Sequence, residues 1–263
     1  MSDIILYALA GGAVGFVVGV TGVGGGSFMT PILLAFGFAP AVAIGTDLLY
    51  AAITKAGGVI THSRQKTVSW SIVGLLSAGS IPASISTMFY LKSLQTKGVD
   101  YSDTLTSALG IMLVLTSAVL LFRTFLLRER SHLASDDSTF GVFERKHTIG
   151  LTFIMGVLLG IFVTLSSVGA GAFGAAVLMT LYPRMPMIRI IGTDLAHAVP
   201  LTAIAGLGHF HLGHVNFYLL GGLLIGSLPA IWLGTKVANH VPELHMQRLM
   251  AVVLFGLGVN YIV

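Results

Sequence analysis

The sequence predicts an all-α polytopic membrane protein of about ten membrane helices, arranged as two inverted five-segment repeats. Hydrophobic residues make up 55% of the 263 residues and charged residues only 9%, whereas an ordinary soluble domain has roughly 25% charged residues. The mean hydropathy is +0.92. The order of the apolar segments in the first half recurs in the second half. These observations exclude a soluble fold.

Apolar runs separated by turn residues or charges follow one another along the whole chain. About 20 helical residues cross a hydrocarbon core of ~30 Å at 1.5 Å per residue. The runs fall at 4–21, 27–40, 41–62, 68–91, 104–127, 148–165, 171–183, 187–209, 215–237 and 246–263. The second and seventh are short, and each follows a glycine-rich turn, at 22–27 and 166–171. Paired short segments of this kind indicate a transporter binding site.

The two halves of the chain match each other directly. The pentapeptide Ile-Gly-Thr-Asp-Leu at 44–48 recurs at 191–195, an offset of 147 residues. At the same offset His62 meets His209, and the Gly-Ser-x-Pro-Ala segments at 79–83 and 226–230 coincide. The glycine turns align at an offset of 145. We therefore predict a first membrane repeat at 1–127, a polar linker at 128–147 and a second membrane repeat at 148–263.

The basic residues predict the topology. They form no patch with interleaved aromatic residues, so we expect no nucleic-acid partner. If all ten segments cross, one side holds Lys92 and Lys97, and the other holds eleven basic residues: Arg64, Lys66, Arg123, Arg128, Arg130, Arg145, Lys146, Arg184, Arg189, Lys236 and Arg248. Re-entrant second and seventh segments would split the charges about seven to six. The bias favours ten crossings, a cytoplasmic linker and external termini, and five crossings per repeat invert one repeat relative to the other.

Two acids lie within apolar segments, and they occupy equivalent positions in the repeats. Asp47 and Asp194 would each cost at least ~2.5 kcal/mol at a helix centre unless they face a cavity or a partner. We assign them to proton coupling or site organisation, with His197, three residues after Asp194, as a relay on the same helix face. The alternative is that each Asp accepts hydrogen bonds from glycine-turn amides or caps a helix after Pro40 or Pro186.

The glycine turns are the first candidates for binding the substrate. Backbone amides at a helix N-terminus bind anions without a basic side chain, and glycine lets the ligand approach the backbone. The candidate ligand residues are Gly24, Gly25, Gly26, Ser27, Ser167, Gly169 and Gly171. The alternative is close helix packing by small residues, which we predict for the run Gly11, Gly15 and Gly19.

Three further polar residues complete the predicted substrate site. Thr46 and Thr193 precede the aspartates and offer hydroxyl donors to an oxoanion, although each could instead bond its own helix backbone. Lys55 is the only cation well inside a segment. It either neutralises the substrate or Asp47, or extends to the membrane interface. The histidines at 209, 211 and 214 have no carboxylate nearby in sequence, so we expect no metal site.

The glycine turns, the Gly-Thr-Asp-Leu segments and the Gly-Ser-x-Pro-Ala segments together resemble the TauE/SafE family of sulfite and organosulfonate transporters, which includes permeases of the 4-toluene sulfonate uptake type. The resemblance covers essentially the whole chain. It implies a multi-pass carrier of the bacterial cytoplasmic (inner) membrane for sulfite, sulfoacetate or related anions. The second turn has Ala170 and Ala172 where the first has Gly25 and Ser27, so the two turns need not bind a ligand in the same way.

The direction of transport follows from the membrane potential. An interior-negative potential drives an anion outwards by about 2.3 kcal/mol per charge per 100 mV, so export needs no coupling ion and is the preferred hypothesis. Proton-coupled sulfonate uptake and a channel remain open, as does a homodimer in the lipid membrane. A remote alternative is an intramembrane aspartyl protease, but a threonine precedes each aspartate. We expect neither an enzyme nor a cofactor.

Overall fold

The computed structural model describes residues 2–21, 26–133, 143–237 and 243–262, and these ranges form ten helices and no strand. Each helix coincides with one predicted apolar segment, so the all-α prediction is confirmed. The helices are α1 (Ser2–Thr21), α2 (Gly26–Ala35), α3 (Pro40–Arg64), α4 (Trp70–Thr96), α5 (Ser102–Leu133), α6 (Phe143–Ser166), α7 (Ala172–Leu181), α8 (Met187–His211), α9 (Phe217–Val237) and α10 (Glu243–Ile262).

Six of the described helices are long and apolar enough to cross a membrane: α1, α4, α5, α6, α8 and α9. The chain is therefore a multi-pass membrane protein. Helices α2 and α7 have 10 residues each, which corresponds to about 15 Å, half the thickness of the hydrocarbon core. At that length each of the two described helices reaches about halfway across the core, and the total of ten crossings stays a prediction.

Helix occupies both ends of the range 128–147, and the division of the chain into two repeats and a linker stays a prediction. Helix α5 continues to Leu133 and α6 begins at Phe143, so helix extends into both ends of this range. Residues 134–142 lie outside the described residues, as do Gly24 and Gly25 of the first glycine turn.

The two halves pack against each other through four pairs of long helices. Helix α1 packs on α9, α6 on α4, α8 on α3 and α10 on α5. Glycines make the closest approaches, because a Cβ atom on Gly15 would overlap the backbone of Ser227 and one on Gly160 would overlap the backbone of Ser80. Gly11 and Gly19 pack in the same way on α9, so the predicted packing role of this glycine run is confirmed.

The contacts between the halves are reciprocal. The backbone N–H of Asn216 donates to Thr46 Oγ1 over 3.1 Å, and the backbone N–H of Ser69 donates to Thr193 Oγ1 over 3.0 Å. Thr193 and Asn216 each lie 147 residues after their counterparts Thr46 and Ser69. The contact of Thr46 with Asn216 is therefore repeated, with the halves exchanged, by the contact of Thr193 with Ser69. Such reciprocal contacts are typical of an isologous two-fold pair.

Candidate functional site

Three charged side chains are buried where α3 of the first half meets α7 and α8 of the second. Asp47 is 0% exposed, Asp194 4% and Lys55 7%. Asp47 and Lys55 lie eight residues apart on α3, a little over two helical turns, so they occupy one side of that helix. Lys55 is close enough to both carboxyl groups for electrostatic interaction. We call Asp47, Asp194 and Lys55 the buried charge cluster.

Only one of the two carboxyl oxygens of Asp47 has a hydrogen-bond partner among the described residues. The hydroxyl of Thr30 on α2 donates to Asp47 Oδ2 over 2.5 Å. The Ser167 hydroxyl of the second glycine turn also lies beside this carboxyl. The other oxygen, Oδ1, is buried without a hydrogen-bond partner among the described residues. A buried carboxylate with an unused oxygen is costly unless a proton or a ligand reaches it.

Lys55 points into the protein rather than towards the interface. Its Nζ atom donates to the carbonyl oxygen of Ala170 over 2.6 Å, and Ala170 belongs to the second glycine turn. The side chain therefore connects a helix of the first half to the turn of the second half. The prediction that Lys55 neutralises an acid is consistent with its position, and the alternative that it extends to the membrane interface is wrong.

Asp194 lies at the N-terminal end of α7. A Cβ atom on Gly174 would overlap Asp194 Oδ1. Because glycine has no side chain, the Asp194 carboxyl can occupy this space. The helix begins after Gly171 without a side-chain cap. A carboxylate at this end is favoured by the helix dipole. The acid thus occupies the neighbourhood that the sequence analysis assigned to a bound anion. Neither aspartate caps its own helix, because α3 and α8 begin after Ala39 and Pro186.

The second glycine turn has an unusual backbone. Ser167 has φ 60°, Gly169 has φ 119° and Gly171 has φ 152°, all in a region that favours glycine. At Gly169 an added Cβ would also meet the Met112 side chain at 2.6 Å. Ser167 is held in this conformation although it has a side chain, and its buried hydroxyl has no hydrogen-bond partner in the described part of the chain.

His197 does not contact Asp194 in the way that the sequence spacing suggested. Its Nε2 atom lies 2.8 Å from the Ser80 hydroxyl on α4, and its Nδ1 atom is buried without a partner among the residues the structure describes. The imidazole is still close enough to Lys55 for electrostatic interaction. No hydrogen bond joins the Asp194 and His197 side chains, although both interact electrostatically with Lys55, and the role of His197 in proton coupling stays a prediction.

The remaining predicted residues divide into two groups. Thr46 and Thr193 accept backbone N–H groups across the halves, so their oxygens are engaged in holding the fold together. Gly26 begins α2, whereas the Ser27 side chain and the whole of Gly24 and Gly25 lie outside what the structure describes. The role of the first turn in binding stays a prediction.

Comparison with known proteins now identifies the family. The model of the family described as "Sulfite exporter TauE/SafE" matches residues 7–261. The chain belongs to the TauE/SafE family. It is 35% identical over 254 residues to the probable membrane transporter protein YjnA of Bacillus subtilis (strain 168). The aligned region covers 97% of this chain and 98% of YjnA.

Other TauE/SafE-like relatives are more distant. The probable membrane transporter protein YdhB of Bacillus subtilis (strain 168) is 28% identical over 230 residues, covering 87% of this chain and 88% of YdhB. The probable membrane transporter protein MJ0441 of Methanocaldococcus jannaschii is 24% identical over 267 residues, covering 93% and 91%. No solved structure shows a significant match.

Two residues of this TauE/SafE protein that the sequence analysis missed occupy equivalent positions to His197 and Ser80. They are Tyr50 and Ser227, each at the offset of 147. Their hydroxyls lie close to each other, and both are buried without a hydrogen-bond partner in the described ranges. The repeat offset was the signal that could have found them, because it pairs Tyr50 with a residue already selected.

Most of the unsatisfied polar atoms of this TauE/SafE protein surround the buried charge cluster. Within the described residues, the buried side-chain atoms without a hydrogen-bond partner are Asp47 Oδ1, Tyr50 OH, Thr116 Oγ1, Ser167 Oγ, His197 Nδ1 and Ser227 Oγ. Apart from Thr116, these atoms belong to Asp47, to residues that interact electrostatically with Asp47 or Lys55 (Tyr50, Ser167 and His197), and to Ser227, which lies beside Tyr50. Buried polar groups are normally satisfied, so this group of atoms is the candidate binding site within the described residues.

Proposed function

We propose that this TauE/SafE protein is a secondary transporter that exports a small sulfur oxoanion or organosulfonate, such as sulfite or sulfoacetate, by alternating access. The single observation that carries the proposal is the group of unpartnered polar atoms around Lys55 and Asp47. The family description, sulfite exporter, supplies the sulfur chemistry. The site supplies a reason for an anion, because it combines a buried ammonium group with buried hydroxyl donors.

The hydrogen-bonding capacity of the site fits an oxoanion. An ammonium group has three donors, and Lys55 uses one of them on Ala170 O. The hydroxyls of Ser167, Tyr50 and Ser227 can each donate one more bond. A sulfonate or sulfite group offers three oxygens as acceptors, so donors from both halves of the protein can converge on it. The first glycine turn, whose Gly24 and Gly25 lie outside the described residues, stays a predicted source of amide donors.

Alternating access is supported by the reciprocal packing of the halves. Two similar units around a shared central site can rock against each other so that the site opens first on one side and then on the other. We place the protein in the bacterial inner membrane, with the repeats inverted, the linker in the cytoplasm and both termini outside. The asymmetric distribution of Lys and Arg supports this orientation.

The charges at the site favour a second candidate, proton-coupled uptake of a sulfonate. If both aspartates are ionised and Lys55 is charged, the buried charge cluster carries a net charge of −1, which repels an incoming anion. Protonation of one aspartate removes that repulsion, so an anion and a proton would enter the site together. Export driven by the membrane potential needs no such coupling, and the two candidates therefore respond differently to a pH gradient.

Flux measurements in proteoliposomes test the proposal and separate the candidates. Vesicles loaded with radiolabelled sulfite or sulfoacetate should show saturable efflux that accelerates when a potassium gradient with valinomycin makes the interior negative. The Lys55→Thr variant, which introduces the residue found at equivalent position 202, should lose this flux. An exposed lysine outside the site, Lys97, provides the control variant Lys97→Gln.

The outcomes are distinct. Efflux that ignores the potential but requires a proton gradient supports the coupled candidate and eliminates the uniport. Non-saturable flux without counter-flow supports a channel. Absence of flux for every sulfur oxoanion, in vesicles where reconstitution is verified, removes the proposed substrate class.

A further inference from the structure

Helices α4 and α8 leave an apolar groove open on the outer surface of the protein. The groove has a volume of about 360 Å³, within the range of small-molecule sites. Its walls include Ile85 and Phe89 of α4 and Ile204 and Leu207 of α8. Its floor lies at Gly208, whose missing side chain deepens the groove, and a Cβ there would meet the Met88 side chain at 2.6 Å. We call this feature the α4/α8 groove.

The α4/α8 groove opens towards the lipid. Phe89 is 68% exposed and Leu207 is 52% exposed, although both are large apolar residues. In a multi-pass membrane protein, side chains of this kind face acyl chains. The transported anion is an unsuitable occupant, because apolar walls leave its oxygens without donors.

One end of the groove is polar. Lys92 and His211 line it, and both are exposed. They lie near the C-terminal ends of α4 and α8, which are held together by the hydrogen bond from Gln95 Nε2 to Leu212 O, 3.2 Å long. Each lies seven residues beyond an apolar wall residue, Ile85 or Ile204, so the walls extend roughly 10 Å from the polar end. The groove thus combines a cationic mouth with an apolar channel.

We propose that the α4/α8 groove binds one anionic phospholipid, with an acyl chain along the apolar walls and the phosphate at Lys92 and His211. Basic residues at the ends of membrane helices attract anionic head groups, and a lysine near the surface contributes about 1 kcal/mol. A zwitterionic head group of the same size carries no net charge and gains much less from this mouth. The groove is therefore selective for the head group and tolerant of the acyl chain.

The bound lipid acts on the helix pair that carries a site contact. The Ser80–His197 hydrogen bond joins the same two helices, α4 and α8, five residues before Ile85 and seven before Ile204. A lipid in the groove bridges these helices beyond that bond and holds them together. Lipid composition therefore influences the stability of the α4–α8 pair independently of which substrate is transported.

The test uses the purified full-length protein in a neutral detergent, with dioleoyl phosphatidylglycerol and dioleoyl phosphatidylcholine as probes with identical acyl chains. Native mass spectrometry should show tighter binding of one phosphatidylglycerol, and thermal unfolding should shift to a higher temperature with this lipid. The surface variants Lys92→Gln and His211→Gln should each weaken phosphatidylglycerol binding, about fivefold for Lys92→Gln, and leave phosphatidylcholine binding unchanged. Lys97→Gln, beyond the groove, is the matched control and should behave as wild type.

A second variant tests whether the apolar walls of the α4/α8 groove bind the acyl chain of the lipid. Gly208→Leu fills the groove and should abolish retention of either lipid, and displacement of the flexible Met88 side chain allows this substitution. Equal binding of the two lipids to the wild type, or undiminished selectivity in the doubly substituted Lys92→Gln/His211→Gln protein, overturns the proposal. Because these two exposed residues contribute little to folding, the lipid preference remains measurable even if Gly208→Leu does not fold.

Discussion

The Nζ atom of Lys55 donates a hydrogen bond of 2.6 Å to the carbonyl oxygen of Ala170, across the boundary between the two halves. Both carboxyl groups of the buried charge cluster act on the same ammonium group. No ligand is needed to explain why Lys55 stays inside, because one carbonyl oxygen accepts its hydrogen bond and two carboxyl groups lie within electrostatic range. Any substrate anion therefore competes with protein groups for this cation.

Replacing Lys55 with threonine should reduce sulfite flux at least tenfold and lower the free energy of unfolding by about 3 kcal/mol. The stability loss arises because removing one partner leaves buried carboxylates uncompensated. Adding Asp194→Asn to the variant removes one of these charges and should recover part of the stability. Denaturation in detergent and flux in proteoliposomes measure the two effects. Full activity of Lys55→Thr contradicts the proposed site.

Substitutions at the two aspartates should have different effects. Asp47→Asn keeps the shape of the side chain but removes its charge, and it should abolish any dependence of flux on a proton gradient. Asp194→Asn removes a negative charge from the N-terminal end of α7 and should lower the free energy of unfolding by about 1 kcal/mol. Identical flux and melting profiles for the two variants would argue against this division of roles.

Tyr50→Phe and Ser80→Ala form an informative pair. The Tyr50 hydroxyl has no hydrogen-bond partner in the part of the chain that is described, so its loss should change stability little but raise the KM for the anion severalfold. Ser80→Ala breaks the 2.8 Å bond to His197 and should cost about 1 kcal/mol of stability. Ser227→Ala should follow Tyr50→Phe. A large stability loss with unchanged KM in Tyr50→Phe shows instead a structural role.

His214 should make stability depend on pH. It lies between α8 and α9, where its Nε2 atom is 3.1 Å from the Tyr101 hydroxyl and its Nδ1 atom is 3.4 Å from His209 Nδ1. Burial lowers the pKa of the His214 imidazole below the usual 6.5. The unfolded chain therefore binds a proton first as the pH falls, so stability is highest above about pH 6.5 and declines below it.

The matched variant for this effect is His214→Thr, because threonine occupies the equivalent position, Thr67, beside His62. The variant should show a smaller drop in melting temperature between pH 7 and pH 5 than the wild type. A drop of the same size in both proteins assigns the pH dependence to other groups.

The ten helices of the described residues and the buried charged residues could be predicted because both produce strong sequence signals. Apolar runs are unmistakable, and an acid such as Asp47 within one is rare because of its cost. Tyr50 and Ser227 were missed because hydroxyl residues are ordinary in apolar helices. The hydrogen-bond partner of His197 was not predicted because spacing along one helix favours a neighbour on that helix, whereas Ser80 comes from another helix. Tertiary packing decides such choices.

The reciprocal hydrogen bonds of Thr46 and Thr193 have a consequence for how this protein is made. Every long helix of the first half has its main neighbour in the second half, and each threonine receives its N–H donor from the opposite half. During synthesis, the long helices of the first half therefore lack their main packing neighbours in the bilayer until the second half is inserted. We expect a fragment ending at Leu133, the end of α5, to be degraded when expressed alone, and to be rescued when the complementary fragment is co-expressed.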